Sequence, residues 1–74
     1  MRTIPVHTEY ITLGQFLKLA DFVQSGGEVK WFLEERPITV NGEADNRRGR
    51  KLRPGDVVQV EGEEPVTLAA VGEG

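Results

Sequence analysis

Hydrophobic positions in this chain change period twice, and each change marks a new element. Ile4 and Val6 alternate with neighbours of the other parity, and Thr8 and Tyr10 continue that second parity. A period of two predicts a short strand over residues 1–11, and Pro5 confines it to a sheet edge because proline donates no ladder hydrogen bond. The period then lengthens. Leu13, Phe16, Leu17 and Ala20 fall at i, i+3, i+4 and i+7, one apolar stripe of a short helix, with Thr12 where an N-cap belongs. Gln15 and Lys18 take the opposite face, and Gly14 weakens the helix by about 1 kcal/mol relative to alanine. After a connection anchored by Phe22 and Val23, Ser25-Gly26-Gly27-Glu28 opens a second helix, with Ser25 as cap and Glu28 at capping-box spacing. Val29, Phe32 and Leu33 form its buried stripe, Lys30 and Trp31 lie off it, and Pro37 ends it.

From Ile38 the period returns to two. Ile38 and Val40 face one way, and Asn41-Gly42 supplies a tight turn that tolerates positive φ. Pro54-Gly55, closed by Asp56, has the order a type II turn requires. Residues 57–60 and 66–70 read as strands, and Val71-Gly72-Glu73-Gly74 as a tail. The expected architecture is α+β: two short helices packed on a small, mainly antiparallel sheet.

At 74 residues and 38% apolar, the chain can build one small core and no second domain. A domain of this size buries only about 60% of the surface its unfolded chain exposes, so modest stability is expected. There is no cysteine to make a disulfide framework or a thiolate metal site. The longest apolar run, Trp31-Phe32-Leu33, falls far short of the roughly 20 residues a membrane span needs. With no basic stretch leading into an apolar one at the start, no secretory signal is read, and a cytoplasmic location is expected.

Charge changes the picture more than composition does. The net charge is −3, yet residues 47–55 carry five basic side chains and no acidic one. Residues 1–46 hold four basic against seven acidic groups, and residues 56–74 hold five acidic and no basic. The +5 block Arg47-Arg48-Gly49-Arg50-Lys51-Leu52-Arg53 can recruit an anionic partner from within an acidic molecule. Arginine offers a planar fork that matches phosphate oxygens, and lysine a mobile point charge. Four neutralised phosphates on RNA would give a salt slope near −3, a loss of roughly 50-fold between 50 and 200 mM salt.

The segment from Thr12 to Val60 resembles the S4 domain, a small RNA-binding module found in a ribosomal protein, pseudouridine synthases and other translation factors. Ile38-Thr39-Val40-Asn41-Gly42 is similar to the family's Val-x-Val-Asn-Gly, and Leu52-Arg53-Pro54-Gly55-Asp56-Val57-Val58-Gln59-Val60 to its Leu-x-x-Gly-Asp-x-Ile/Val-x-Val. Leu13-Gly14-Gln15-Phe16-Leu17 and Ser25 to Leu33 stand where the two helices belong. As a whole the chain looks like the stand-alone bacterial S4-like proteins of about this length, with a core motif over residues 12–62, an edge strand before it, and a last strand and tail over 63–74. Two departures stand out. Thr12-Leu13-Gly14 replaces a common Arg-Leu-Asp, and Ser25-Gly26 replaces a common Ser-Arg, so two cations that S4 domains present to RNA are missing. Lys30 and the 47–53 block are left to carry more of the contact.

The resemblance implies binding of structured RNA, ribosomal RNA or a ribosome-assembly intermediate above all, by a bacterial, translation-related monomer. The candidate RNA-binding residues are Gln15, Lys18, Ser25, Lys30, Asn41, Arg47, Arg48, Arg50, Lys51 and Arg53. Ser25 and Asn41 also have local explanations, as a helix cap and a turn residue. Trp31 is expected to pack under a neighbouring element rather than to stack on a base. His7, the single histidine, reads as a solvated strand residue, and no carboxylate pair shows a setting suited to acid–base chemistry. No catalytic residue, metal, cofactor, membrane or small-molecule substrate is therefore expected. Two rival readings share some of the letters: an adaptor that sets the basic loop on an acidic protein, and a β-grasp sulfur carrier. The second is suggested by Asn41-Gly42-Glu43 and the glycine-containing tail, but Glu73 occupies the place of the penultimate glycine and the helices precede Asn-Gly-Glu.

Overall fold

Residues 2–71 are described by the computed structural model. Their elements are β1 (Arg2–Val6), β2 (Ile11–Thr12), α1 (Leu13–Leu19), α2 (Gly26–Glu35), β3 (Ile38–Val40), β4 (Glu43–Ala44), β5 (Lys51–Leu52), β6 (Val57–Val60) and β7 (Val66–Ala70). Five strands form one sheet in the order β1-β7-β6-β3-β4, and β2 pairs with β5 in a separate ladder. Only β1 and β7 run parallel; every other pair is antiparallel. This is the expected α+β architecture, with β1 at an edge as Pro5 requires.

The strand period sorts the sheet into two faces. Ile4 and Val6, Ile38 and Val40, Val58 and Val60, and Val66 and Leu68 are buried, while Thr3, Pro5 and Gln59 are exposed. Against the buried face α1 sets Leu13, Phe16 and Leu17, and α2 sets Val29 and Leu33. Phe22 and Phe32 pack half-buried at the margin of this core.

The turns follow from backbone chemistry. Asn41 (φ 54°) and Gly42 (φ 86°) both lie in the left-handed region, and Val40 pairs with Glu43, giving a two-residue hairpin that few other residue pairs could form. Gly55 (φ 98°) follows Pro54, and the Asp56 N–H donates to the Arg53 carbonyl at 3.0 Å, closing the type II turn.

Several expectations need correction. The first strand stops at Val6, because the Thr8 hydroxyl donates to the Tyr10 carbonyl at 2.6 Å and folds the chain locally. Ser25 holds the N-cap position of α2 but its side chain makes no capping hydrogen bond. Glu28 Oε1 instead accepts from the Gln24 N–H at 2.9 Å, one residue earlier than a capping box would place it. Trp31 does not pack under another element; it is 68% exposed. Two short strands, β4 just before the basic block and β5 within it, form where the sequence pattern showed none. The last three residues of the expected tail, 72–74, lie outside the described residues.

Candidate nucleic-acid interface

The basic loop between β4 and β5 is organised by an acid. The Asp45 side chain is only 7% exposed and accepts from the Arg47 Nε and Nη2 at 3.1 and 2.8 Å. It also accepts from the Arg47 backbone N–H at 2.9 Å and from the Arg50 Nη1 at 2.7 Å. The Arg47 side chain, its backbone N–H and the Arg50 guanidinium together hold the Asp45 carboxyl well below the usual carboxylate range, against the opposing effect of burial. One carboxylate thus gathers two arginines and bends the chain between them. Residues 45–53 keep a net charge of +4, five cations less one carboxylate.

A second set of contacts bolts this loop to the first helix. Ile11 pairs with Leu52 and Thr12 with Lys51. The Leu13 N–H donates to the Arg50 carbonyl at 2.8 Å, and the Gly14 N–H to the Arg48 carbonyl at 2.9 Å. Amide groups that a helix start leaves unpaired are therefore satisfied by the loop, and the loop's shape becomes part of the α1 start. Thr12 and Gln15 complete the start with a reciprocal capping box: Gln15 Oε1 accepts from the Thr12 N–H at 2.8 Å, and Thr12 Oγ1 from the Gln15 N–H at 3.2 Å. Gln15 was expected to be free; its carbonyl oxygen is committed, leaving the Nε2 amide as the group it can offer.

Gly14 sits at the point of closest approach. A Cβ there would lie 3.4 Å from the Arg48 carbonyl oxygen and 3.5 Å from Val29 Cγ1, ordinary contact distances. Gly14→Ala is therefore expected to raise the thermal midpoint by a few degrees, since alanine in a helix is favoured over glycine by about 1 kcal/mol. Gly14→Leu, which would drive its side chain into the loop, should lower it. Thermal melts of the two variants check both signs.

The remaining cations divide into two groups. Lys51 Nζ and the Arg53 guanidinium carbon lie 5.0 and 5.8 Å from the Tyr10 ring centroid, so one aromatic ring holds both side chains. Arg47, Gly49, Arg50, Lys51 and Arg53 line a shallow depression beside it. On the other side of the loop, Arg48 lines a second depression with Lys30 and Glu34 of α2 and Asn46. The fold thus brings Lys30 beside Arg48 of the basic block. Lys18 follows Gly14 by one helical turn and is exposed. Ser25 is exposed at the start of α2 and lines neither depression. Asn41 is absorbed by structure: its Nδ2 donates to Asp56 Oδ1 at 3.1 Å and its Oδ1 accepts from the Val57 N–H at 2.9 Å.

Two residues of this region carried no functional reading in the sequence. Asp45 precedes an Asn-Arg-Arg-Gly stretch, a turn-like context that could have suggested a local aspartate turn. Tyr10 gave no signal, since the two cations it holds arrive from a distant segment.

The chain belongs to the S4-domain family, whose model matches residues 4–67. A β-grasp carrier is thereby set aside. The chain is also similar to a curated protein of Bacillus subtilis (strain 168), the "Probable ribosome maturation protein RlbA". The two are 68% identical over 59 residues, which cover 80% of this chain and 83% of that relative.

Proposed function

We propose that this chain is a non-catalytic, monomeric RNA-binding protein that associates with ribosomal RNA during maturation of the ribosome in the cytoplasm. The observation that carries the reading is the +4 loop held rigidly against α1, with Lys30 of α2 beside it. S4 membership and the similarity to a ribosome maturation protein support the same choice of partner. Arg48, Lys51, Arg53 and Lys30 are the phosphate contacts in this reading. Lys18 and the Gln15 amide extend the surface, Arg47 contributes the donors that Asp45 leaves over, and Arg50 serves mainly as scaffold. Ser25 and Asn41 have minor parts, since neither lines the loop's depressions. Phosphate contacts position the domain and the shape of the RNA selects, because few groups are placed to read base edges.

Binding of the purified chain to ribosomal RNA and to ribosomal subunits at 50 and 200 mM salt tests this. Four phosphate contacts predict a slope near −3 and a loss of roughly 50-fold across that range. Binding that ignores salt, or none to either target, would reject the reading and favour an acidic protein as partner of the loop.

A further inference from the structure

The molecule has a second exposed surface, on the flank of α2 away from the basic loop. Trp31 is the most exposed large hydrophobic side chain among the described residues. It lines a groove with the half-buried rings of Phe22 and Phe32, whose centroids stand 5.7 Å apart, and with Glu28 and Glu35. Glu28, Trp31 and Glu35 fall at i, i+3 and i+7, so they share one line along the helix.

Charge decides what this surface can take. Glu28 and Glu35 line the groove within about two turns of helix, one on each side of the indole, a setting that repels phosphate. Arg36 also lines the groove but is engaged: its guanidinium lies over the Phe32 ring at 5.4 Å, donates to the Glu61 carbonyl at 3.0 Å and pairs with Glu63 at 3.6 Å. Lys30 stands on the opposite flank, with Arg48. The Glu35 side chain makes no hydrogen bond or ion pair among the described residues. An indole face attracts a cation more strongly than any other aromatic side chain does, and a carboxylate accepts a guanidinium through two parallel hydrogen bonds. Arginine is the one side chain that satisfies both at once, and the phenyl rings beside them suit an apolar neighbour.

We infer that the Trp31 groove docks an arginine-rich polypeptide segment, with one arginine stacked on Trp31 and paired with Glu35 and an adjacent apolar side chain over Phe22 and Phe32. The basic loop and this groove then let one small domain hold RNA and a basic protein on separate surfaces. The inference does not depend on the RNA reading.

Trp31 is the single tryptophan, so its emission reports directly on the groove. The full chain is titrated with a short peptide repeating Arg-Gly-Leu-Arg-Ser, with the counterpart carrying glutamate for arginine, and with oligouridine. Saturable change with the arginine peptide alone is expected. Trp31→Ala should weaken that peptide by about tenfold, followed through backbone amide shifts, and Glu35→Gln by about fivefold. Both sites are exposed, so the variants should fold, which circular dichroism checks, and both should bind ribosomal RNA within about twofold of the parent chain. No saturable change with the arginine peptide, an equal response to the glutamate peptide or to oligouridine, or undiminished peptide binding by both variants would overturn the proposal. So would a matching loss of RNA binding in Trp31→Ala, which would make the indole part of the RNA surface.

Discussion

Exchanging Arg48, Lys51 and Arg53 together for glutamine should weaken binding to ribosomal RNA by about a hundredfold at moderate salt and flatten the salt slope from near −3 to near −1. The reasoning rests on what each cation already does. None of the three uses its charge to hold Asp45. The Lys51 and Arg53 side chains are exposed and lie across the Tyr10 ring, their other bonds come from the backbone, and Arg48 touches α1 through its backbone carbonyl, which the substitution keeps. The thermal midpoint should therefore move by no more than roughly 5 °C. Titration at several salt concentrations, with a melt of the same sample, separates lost contact from lost fold. A variant that keeps the full salt slope would place the phosphate contacts elsewhere.

Asp45→Ala is expected to give the opposite signature, a stability loss with a paradoxical effect on binding. It removes the four hydrogen bonds that bend the loop. Arg47 reaches solvent at 69% side-chain exposure, so screening keeps the cost to about 1–2 kcal/mol, or roughly 5–15 °C of Tm in a chain this short. Loop charge rises from +4 to +5, yet RNA affinity should fall by about three- to tenfold, because the cations must then be ordered on binding. Tighter binding would instead identify Asp45 as a stand-in for phosphate that competes with RNA.

The same residue sets a pH dependence. The Asp45 carboxyl has its folded-state pKa lowered from the ordinary 3.8, so the unfolded chain takes up its proton first as acid is added. Its contribution is complete above about pH 5 and is lost as pH falls from there through the depressed folded value. The difference in melting temperature between the parent chain and Asp45→Ala should accordingly narrow below about pH 4. A difference that stays constant to strong acid would mean that the carboxylate is not what holds the loop.

Much of the candidate site was legible because cations in a run declare themselves without a fold. Arg47 to Arg53 stand out against an acidic chain, and the S4 resemblance, with two of its usual cations missing, leaves Lys30 to share the contact with them. What could not be read was the division of labour. Arg47 and Arg48 are adjacent and chemically identical, but one clasps Asp45 while the other faces Lys30 across a depression. Gln15 looked free because it sits off the apolar stripe, yet an off-stripe side chain is the one able to fold back on its own helix start.

For the fold, local rules were sufficient wherever a residue's neighbours in sequence are also its neighbours in space. The apolar stripe of α1, the Thr12 cap, the Asn41-Gly42 hairpin and the Pro54-Gly55 turn all follow from side-chain spacing or from φ preferences inside a few residues. Tertiary structure alone decided that β1 runs parallel to β7, that Tyr10 meets Lys51 and Arg53, and that Trp31 faces solvent. Those outcomes depend on which distant segments compete for the same face. With the core filled by Val29, Leu33 and the sheet, no element among the described residues covers α2's outer side, and the indole stays exposed.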